Sequence, residues 1–484
     1  MMQDAIGVIQ AANVEAAKNR SIDNAWTNDI KVQVPNAGIS IGDIDRLLRA
    51  RFGNETHIGG SVVRNLDGTV SLAVRATGVP PRTFTGTEAS LPQLISQAAD
   101  YVYGRFEPAL FAQFLLTNRT PAETVAFVNE AMSRATPEQR GDLAARSATA
   151  LAIIGDTPRA LRKYREAISF DPYSWRAWSN YVGEVYAELG EERGVTVGRE
   201  LVKRIAEAPT DHKPANNDLA VLQNYQPLVQ DWTGLLRDSA ASRAAAGGRN
   251  LIVIGNALAS DAVSEAYRHD DGTAMRMLAI AEPSEDRAAA ALLVQGWSRL
   301  DKGDAAGAIG PLERFNAMWA ASEDLRYTYE GQPCYLGQAY GLVGRRVEAK
   351  TVFDRIGGWT ACYTAAADVS AALDDARTAD RAFARAVALA PSMPLAYQHW
   401  GLALAKRGDF DRAEAMFRKA NQTGPNWADP LKSLGDMAAR RGAWGDAVSL
   451  YDRALPLAPH WLSLNEARRG AAKKEESEKW WKLW

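Results

Sequence analysis

Two adjacent stretches decide the fold, PLAYQHWGLALAKRGDFDRAEAMFRKANQTGPNW at 394–427 and ADPLKSLGDMAARRGAWGDAVSLYDRALPLAPHW at 428–461. Their small, large and proline positions recur after 34 residues, as Gly401 and Gly435 do. The preceding stretch, 360–393, keeps the pattern through Phe383 and Pro391. A fixed period of this length indicates stacked units that each consist of a few short elements.

The residue types explain the spacing. Small residues such as Gly401 and Ala413 are expected where two paired helices cross, because only small side chains let the axes approach to about 8–10 Å. Gly408 fits the turn between the helices because glycine tolerates a positive φ. A proline such as Pro425 ends the second helix, because the residue before proline avoids helical geometry.

These residues resemble the tetratricopeptide repeat, in which a helix, a tight turn and an antiparallel second helix make up each unit. Weaker units extend the pattern upstream through Gly337 and Phe353, Gly296 and Leu312, and Gly155 and Tyr164. The array is therefore predicted over about 120–470, with no consensus in 208–288. The resemblance implies a mainly α fold, a right-handed superhelix of helical hairpins.

A segment with a different period precedes the array. An amphipathic helix is expected over 1–20, a strand over Lys31–Val34 and a helix over 40–52. Hairpin strands are predicted at 57–64 and 69–77, a third strand at 82–87 and a helix from Leu91 to about Phe106. The predicted organisation is an N-terminal helix and linker (1–28), a small α+β domain (29–118), first repeats (119–207), degenerate repeats or an insertion (208–288), second repeats (289–470) and a basic, tryptophan-rich tail (471–484).

The stretch from Asp29 to Arg75, which includes DIKVQVPNAGISIGDIDRLLRARFGNETHIGGSVVRN at 29–65, resembles the segment before the repeats in a group of bacterial repeat proteins. Those relatives often carry an upstream membrane helix, which this sequence lacks. The expectation is a soluble chain, cytoplasmic for want of a secretion signal, with a tethered longer form as the alternative.

Composition excludes several classes of function. The 484 residues carry 56 basic and 58 acidic side chains, so no broad positive surface for nucleic acid is expected. The two cysteines, Cys334 and Cys362, are too few for a disulfide framework or a cysteine-rich metal site and are interpreted as packing residues.

No catalytic residue, metal site or cofactor is predicted. His269 with Asp270 and Asp271 resembles a metal-binding dyad, but the further ligands are missing and Gly272 follows, which is ordinary loop composition. His399 is interpreted as a packed or solvated histidine within a repeat.

The predicted function is that of a scaffold or adaptor that binds a protein or peptide. The resemblance implies that certain positions of each first helix line a concave groove. Gln398 and Leu402 stand where a lysine and an asparagine would bind the carboxylate of a chaperone tail, so that specificity is not expected. The predicted groove residues are Cys334, Gln338, Thr364, Asp368, Gln398, Leu402, Lys406, Lys432, Asp436 and Arg440.

The C-terminal end is basic and contains Trp480, Trp481 and Trp484. A charged last helix suits the cap that a repeat array needs. A basic end with aromatic residues also suits partner docking or weak contact with a membrane surface. Two further alternatives stay open: a regulatory subunit of an enzyme complex, with an active site hidden in 208–288, and a protein that assembles end to end, at a membrane or in solution.

Overall fold

The computed structural model describes residues 58–214, 219–246, 251–329 and 331–482. The elements predicted within 1–57, namely the helices over 1–20 and 40–52 and the strand Lys31–Val34, lie outside the described residues. The chain divides into two compact units, one ending at Ala177 and the other beginning at Trp178. None of the helices in the described ranges is both long and apolar enough to cross a bilayer.

The first unit begins with a three-stranded antiparallel sheet in the order β1-β2-β3. The strands are β1 Ile58–Arg64, β2 Val70–Ala76 and β3 Val79–Gly86. Alternate residues of β2, which include Leu72 and Val74, are buried against Leu94 and Ala98 of the following helix. The predicted hairpin and helix are confirmed, and the third strand begins three residues earlier than expected because Gly78 makes a tight turn with a φ of +77°.

Helices fill the rest of the first unit, and prolines at their first turns set where several of them begin. The helices α4 and α5 form the first hairpin with tetratricopeptide spacing. In order, they are α1 Leu91–Phe106, α2 Pro108–Asn118, α3 Pro121–Ala131, α4 Pro137–Ile153 and α5 Thr157–Phe170.

The second unit carries the remaining hairpins, in which each first helix is followed by an antiparallel second helix. The helix pairs predicted in 360–461 are confirmed. The helices are α6 Trp175–Leu189, α7 Glu191–Glu207, α8 Trp232–Ala246, α9 Leu251–Tyr267, α10 Asp271–Ile280, α11 Glu285–Asp301, α12 Ala305–Ala321, α13 Glu323–Thr328, α14 Cys334–Leu342, α15 Arg346–Ile356, α16 Thr360–Ala372, α17 Ala376–Leu389, α18 Leu395–Lys406, α19 Phe410–Thr423, α20 Ala428–Arg440, α21 Trp444–Ala454 and α22 Leu462–Lys482.

One contact recurs where the paired helices cross. A Cβ added to Gly401 would lie 2.5 Å from the ring of Phe417, and one added to Gly435 would lie 2.4 Å from the ring of Tyr451. The same spacing of sixteen residues joins Gly337 to Phe353. The large side chain of each hairpin therefore fills the space that a side chain at the glycine position would need.

The turns inside the hairpins need a positive φ, as the sequence predicted. Gly408 has a φ of +83° and Gly442 one of +75°. Asp374 takes the same place in the 360–393 unit with a φ of +60°, and His269 does so between α9 and α10 with a φ of +61°. Non-glycine residues with such angles are uncommon and are held there by the surrounding structure.

The stretch 208–288 combines irregular and hairpin structure. Short 3-10 turns occupy Leu219–Leu222 and Gln226–Val229, and α-helical structure resumes only at Trp232. The helices α9 and α10 then pair as a hairpin without the repeat consensus. Trp232 and Ala259 belong to the same core cluster as residues of α11, α12, α14 and α16, so the stretch is part of the array's core.

Candidate partner-binding groove

The predicted groove residues stand on the first helices α14, α16, α18 and α20, but the structure places them in different environments. Cys334, Thr364 and Gln398 are buried. Four others are half-buried and hydrogen-bonded to neighbours. Those four are Gln338, Asp368, Lys432 and Asp436, while Leu402, Lys406 and Arg440 are exposed.

Cys334 and Cys362 form a disulfide that links α14 to α16, with 5.2 Å between their Cα atoms. The prediction was two separate packing residues; both cysteines are buried, as expected, but a covalent bond joins them. The joint at Gly357 and Gly358 shortens this unit, so the two first helices carry their cysteines at positions that meet.

A polar network crosses three first helices. Gln338 Nε2 donates a hydrogen bond to Asp368 Oδ2 at 3.1 Å, and His399 Nδ1 lies 2.8 Å from the same oxygen. Burial opposes protonation of the imidazole, but the Asp368 carboxylate outweighs it and raises the pKa of His399. His399 is therefore hydrogen-bonded to Asp368, one of the predicted groove residues.

A second network lies on α18 and α20. Gln398 Nε2 donates to Ser433 Oγ at 2.9 Å, whereas its Oε1 atom is buried without a hydrogen-bond partner. Lys432 Nζ lies 2.9 Å from Asp436 Oδ2, and the Tyr451 hydroxyl donates to Asp436 Oδ1 at 2.7 Å. These bonds fix the polar side chains of the two helices before any partner binds.

The exposed residues form what we call the open surface: Leu402, Lys406 and Arg440. Leu402 is 48% exposed, and Lys406 lies one helical turn further along the same face of α18. Arg440 occupies on α20 the position that Lys406 occupies on α18, and its guanidinium lies 3.2 Å from the centre of the Phe410 ring. Within the described residues, neither cation forms a salt bridge. The open surface thus consists of an apolar side chain and a lysine on one face of α18 and an arginine at the equivalent repeat position of α20.

His269 makes contacts that the sequence analysis did not foresee. Its Nδ1 lies 3.1 Å from Asp301 on α11, and its Nε2 lies 3.2 Å from Asp429 on α20. Its ring stacks on Trp461 with 3.8 Å between centres. Burial opposes the charge, but the carboxylates of Asp429 and Asp301 raise the pKa of His269 to about 10. The buried imidazolium therefore connects the turn between α9 and α10 to both α11 and α20, two first helices that lie four repeat units apart.

The neighbouring Asp270 and Asp271 do not join His269 in a ligand set. Asp270 caps α10 by accepting from the Thr273 backbone N–H at 2.9 Å, and Asp271 forms an ion pair with Lys302. His269 and Asp270 lie in the turn before α10, as expected of a loop, whereas Asp271 and Gly272 already belong to the first turn of that helix. No group of histidine, cysteine and carboxylate side chains in the described ranges has an arrangement that could hold a metal ion.

The contact of His269 is one of a series. We define the crossing segment as the described residues between 191 and 270. It forms hydrogen bonds at or just before the starts of four successive first helices, α16, α18, α20 and α22. Glu191 accepts hydrogen bonds from the N–H (2.8 Å) and the hydroxyl of Thr360 at the start of α16. Burial raises the pKa of Glu191 to about 7, although the hydrogen bonds from Thr360 lower it.

Further contacts continue along the array in chain order. Glu192 accepts from the backbone N–H of Ser392 at 2.8 Å, and Asp231 accepts from Asn426 at 2.9 Å. Arg268 Nε donates to the Leu457 carbonyl at 2.7 Å. The 34-residue repeat pattern does not predict these contacts, because each of them joins a residue outside the repeat consensus to a loop.

The last helix, α22, packs Leu464 and Ala471 against the core of α20 and α21, as a cap would. The side chains of Trp480 and Trp481 and all of Trp484 lie outside the described residues.

No protein-family model matches the chain, and no curated protein matches it. Among solved structures, the crystal structure of MamA is similar over 34% of this chain and 93% of its own, with 23% identity and a TM-score of 0.23. The Cut9–Hcn1 hetero-tetramer of the APC/C is similar over 80% and 89%, with 12% identity and a TM-score of 0.37. Yeast Tom70 is similar over 78% and 97%, with 10% identity and a TM-score of 0.30. By its own helix pairs and crossing glycines, this chain is a helical repeat array with tetratricopeptide spacing, and a small antiparallel sheet precedes the array in the sequence.

Proposed function

We propose that the protein is a non-enzymatic scaffold or adaptor whose open surface binds a segment of a partner protein. The proposal rests on the exposure of Leu402, Lys406 and Arg440 on the first helices of two successive regular repeats. An exposed apolar side chain offers area to bury, and two cations without ion-pair partners add charge complementarity. The partner segment that fits has an apolar anchor residue next to carboxylates.

The buried and the exposed residues of the predicted groove have different roles in this proposal. Thr364 and Gln398 are buried and hydrogen-bonded, so they contribute rigidity and not contact area. A fixed backbone under the open surface lowers the entropy that a partner must lose on binding.

Site-specific photo-crosslinking tests this function. A photoreactive phenylalanine analogue replaces Leu402 in one protein and Val347, a 78% exposed residue of a second helix, in the control. We expect cross-linked partner segments in source cells from position 402 and not from position 347, and we expect Lys406→Glu with Arg440→Glu to abolish them. Equal cross-linking at both positions would contradict the proposal.

The tail is a second proposed contact of the same scaffold, with Trp480, Trp481 and Trp484 as its residues. We expect removal of residues 479–484 to leave the helical circular-dichroism spectrum unchanged and to weaken binding of the partner or of anionic vesicles. Co-sedimentation with such vesicles separates the two, because a protein partner is absent from that assay.

A further inference from the structure

The first unit contains a cleft that the proposed scaffold function does not use. It has a volume of about 470 Å³, and residues of β3, α1, α2 and α3 line it. Four arginines and three carboxylates line it, together with a set of aromatic rings. Concave sites of this size that combine an apolar floor with a few polar groups are the usual form of ligand sites.

The floor of the cleft is aromatic and closely packed. A Cβ added to Gly104 on α1 would lie 2.8 Å from Phe111 and 2.9 Å from Phe127, so these rings rest directly on the helix backbone. Phe111 and Phe127 meet edge to face with 4.9 Å between centres. On the β3 side, Phe84 and Tyr101 make a second edge-to-face pair. The floor is thus preformed and apolar.

Two of the arginines are already neutralised by carboxylates. Arg119 lies 2.6 Å from Asp100, and Arg134 lies 2.9 Å from Glu130. The third carboxylate, Glu123, belongs to the capping box of α3, where it accepts from the backbone and side chain of Thr120.

The other two arginines keep unused donors. The guanidinium groups of Arg82 and Arg105 each lie 5.0 Å from the centre of the Tyr101 ring, whose hydroxyl is held by the Pro80 carbonyl. Arg82 forms no salt bridge within the residues that the structure describes. Arg105 is 3.7 Å from Glu130, which Arg134 binds more closely, and its Nε atom is buried without a hydrogen-bond partner.

We propose that this cleft binds an anionic group, a carboxylate or a phosphate, attached to an apolar or aromatic body. The anion accepts hydrogen bonds from Arg82 and Arg105, which stacking on Tyr101 holds in place. The body rests on the floor made by Phe84, Phe111 and Phe127. The same chemistry is offered by the C-terminal residue of a peptide and by a small aromatic acid.

Isothermal titration calorimetry on the full chain tests the site. The probes are benzoate and phenyl phosphate for a small ligand, and a phenylalanine-terminated hexapeptide with a free or an amidated C-terminus for a peptide. Binding of the free but not of the amidated peptide identifies a chain terminus as the source, and binding of the small acids alone identifies a small molecule.

Matched variants connect the binding to the cleft. Arg82→Gln and Arg105→Gln are each expected to weaken binding roughly tenfold, the loss of one charge-assisted hydrogen-bond donor. Arg75→Gln, an exposed arginine of β2 that does not line the cleft, is expected to bind as the wild type does. The proposal is overturned if none of the probes binds, or if the cleft variants and Arg75→Gln bind them equally.

Discussion

The repeats at 360–461 and the crossing segment lie in one compact unit. The repeats are held by contacts between residues close in the sequence, whereas the crossing segment is held by contacts between residues far apart in the sequence. In the repeats, Gly401 meets Phe417 and Gly435 meets Tyr451, each sixteen residues later. The crossing segment bonds Glu191 to Thr360 and Glu192 to Ser392, at separations of 169 and 200 residues. Periodic sequence therefore specifies local pairs, whereas the segment without period supplies the long-range ones.

The disulfide gives the largest expected effect on the local side of this comparison, because it links neighbouring repeats across a separation of 28 residues. Replacing Cys334 and Cys362 by alanine is expected to lower the free energy of unfolding by roughly 3 kcal/mol, since the unfolded chain loses a constraint. Urea unfolding with and without reductant measures this. The wild type should lose stability in reductant and the double variant should not respond; an unresponsive wild type would refute the linkage.

A crossing glycine gives the next effect. Gly435→Leu forces a large side chain against the Tyr451 ring and is expected to lower the free energy of unfolding by about 2 kcal/mol. Gly470→Leu on α22 is the control, because nothing lies within 4 Å of a Cβ built there. Thermal melting compares the two, and equal melting temperatures would mean that the crossing is not where the structure places it.

Among the long-range contacts, those of His269 are expected to make the free energy of unfolding depend on pH in the alkaline range. Its pKa of about 10 in the folded chain lies above the ordinary value of 6.5, so its contribution is complete below pH 6.5 and is lost as the pH rises toward 10. We expect a fall of about 1 kcal/mol per pH unit in that window. His269→Gln should flatten the slope, whereas His460→Gln, whose side chain is 70% exposed, should keep it.

Glu191 acts in a lower window and with a smaller effect. Its folded pKa of about 7 exceeds the ordinary 4.5, so its contribution to stability is complete below pH 4.5 and declines as the pH rises to 7. The expected decline is roughly 2 kcal/mol between pH 5 and 7. Glu191→Gln should remove it, and Glu207→Gln, an exposed change on the same helix, should not. A pH slope that survives Glu191→Gln would assign the titration to another group.

The structure of the repeats at 360–461 was predictable from the sequence, whereas the contacts of the crossing segment were not. Gly408, Gly442 and Pro425 mark turns and helix ends by backbone sterics alone, so their positions follow from residue type. His269 shows the opposite case: its partners Asp301 and Asp429 are 32 and 160 residues away, and nothing near His269 in the sequence specifies them. The same holds for the open surface, because the burial of Gln398 and the exposure of Leu402 depend on neighbouring helices.

The crossing segment also orders events during synthesis. A ribosome completes residues 191–270 before it has made Thr360, Ser392 or Asp429, so the nascent chain carries this segment without its partners while about two hundred more residues are added. Contacts between distant residues form late, because the intervening loop must first close. Val195, Leu228 and Val229 therefore cannot complete their packing against Ala390 and Met393 until these two residues have been made.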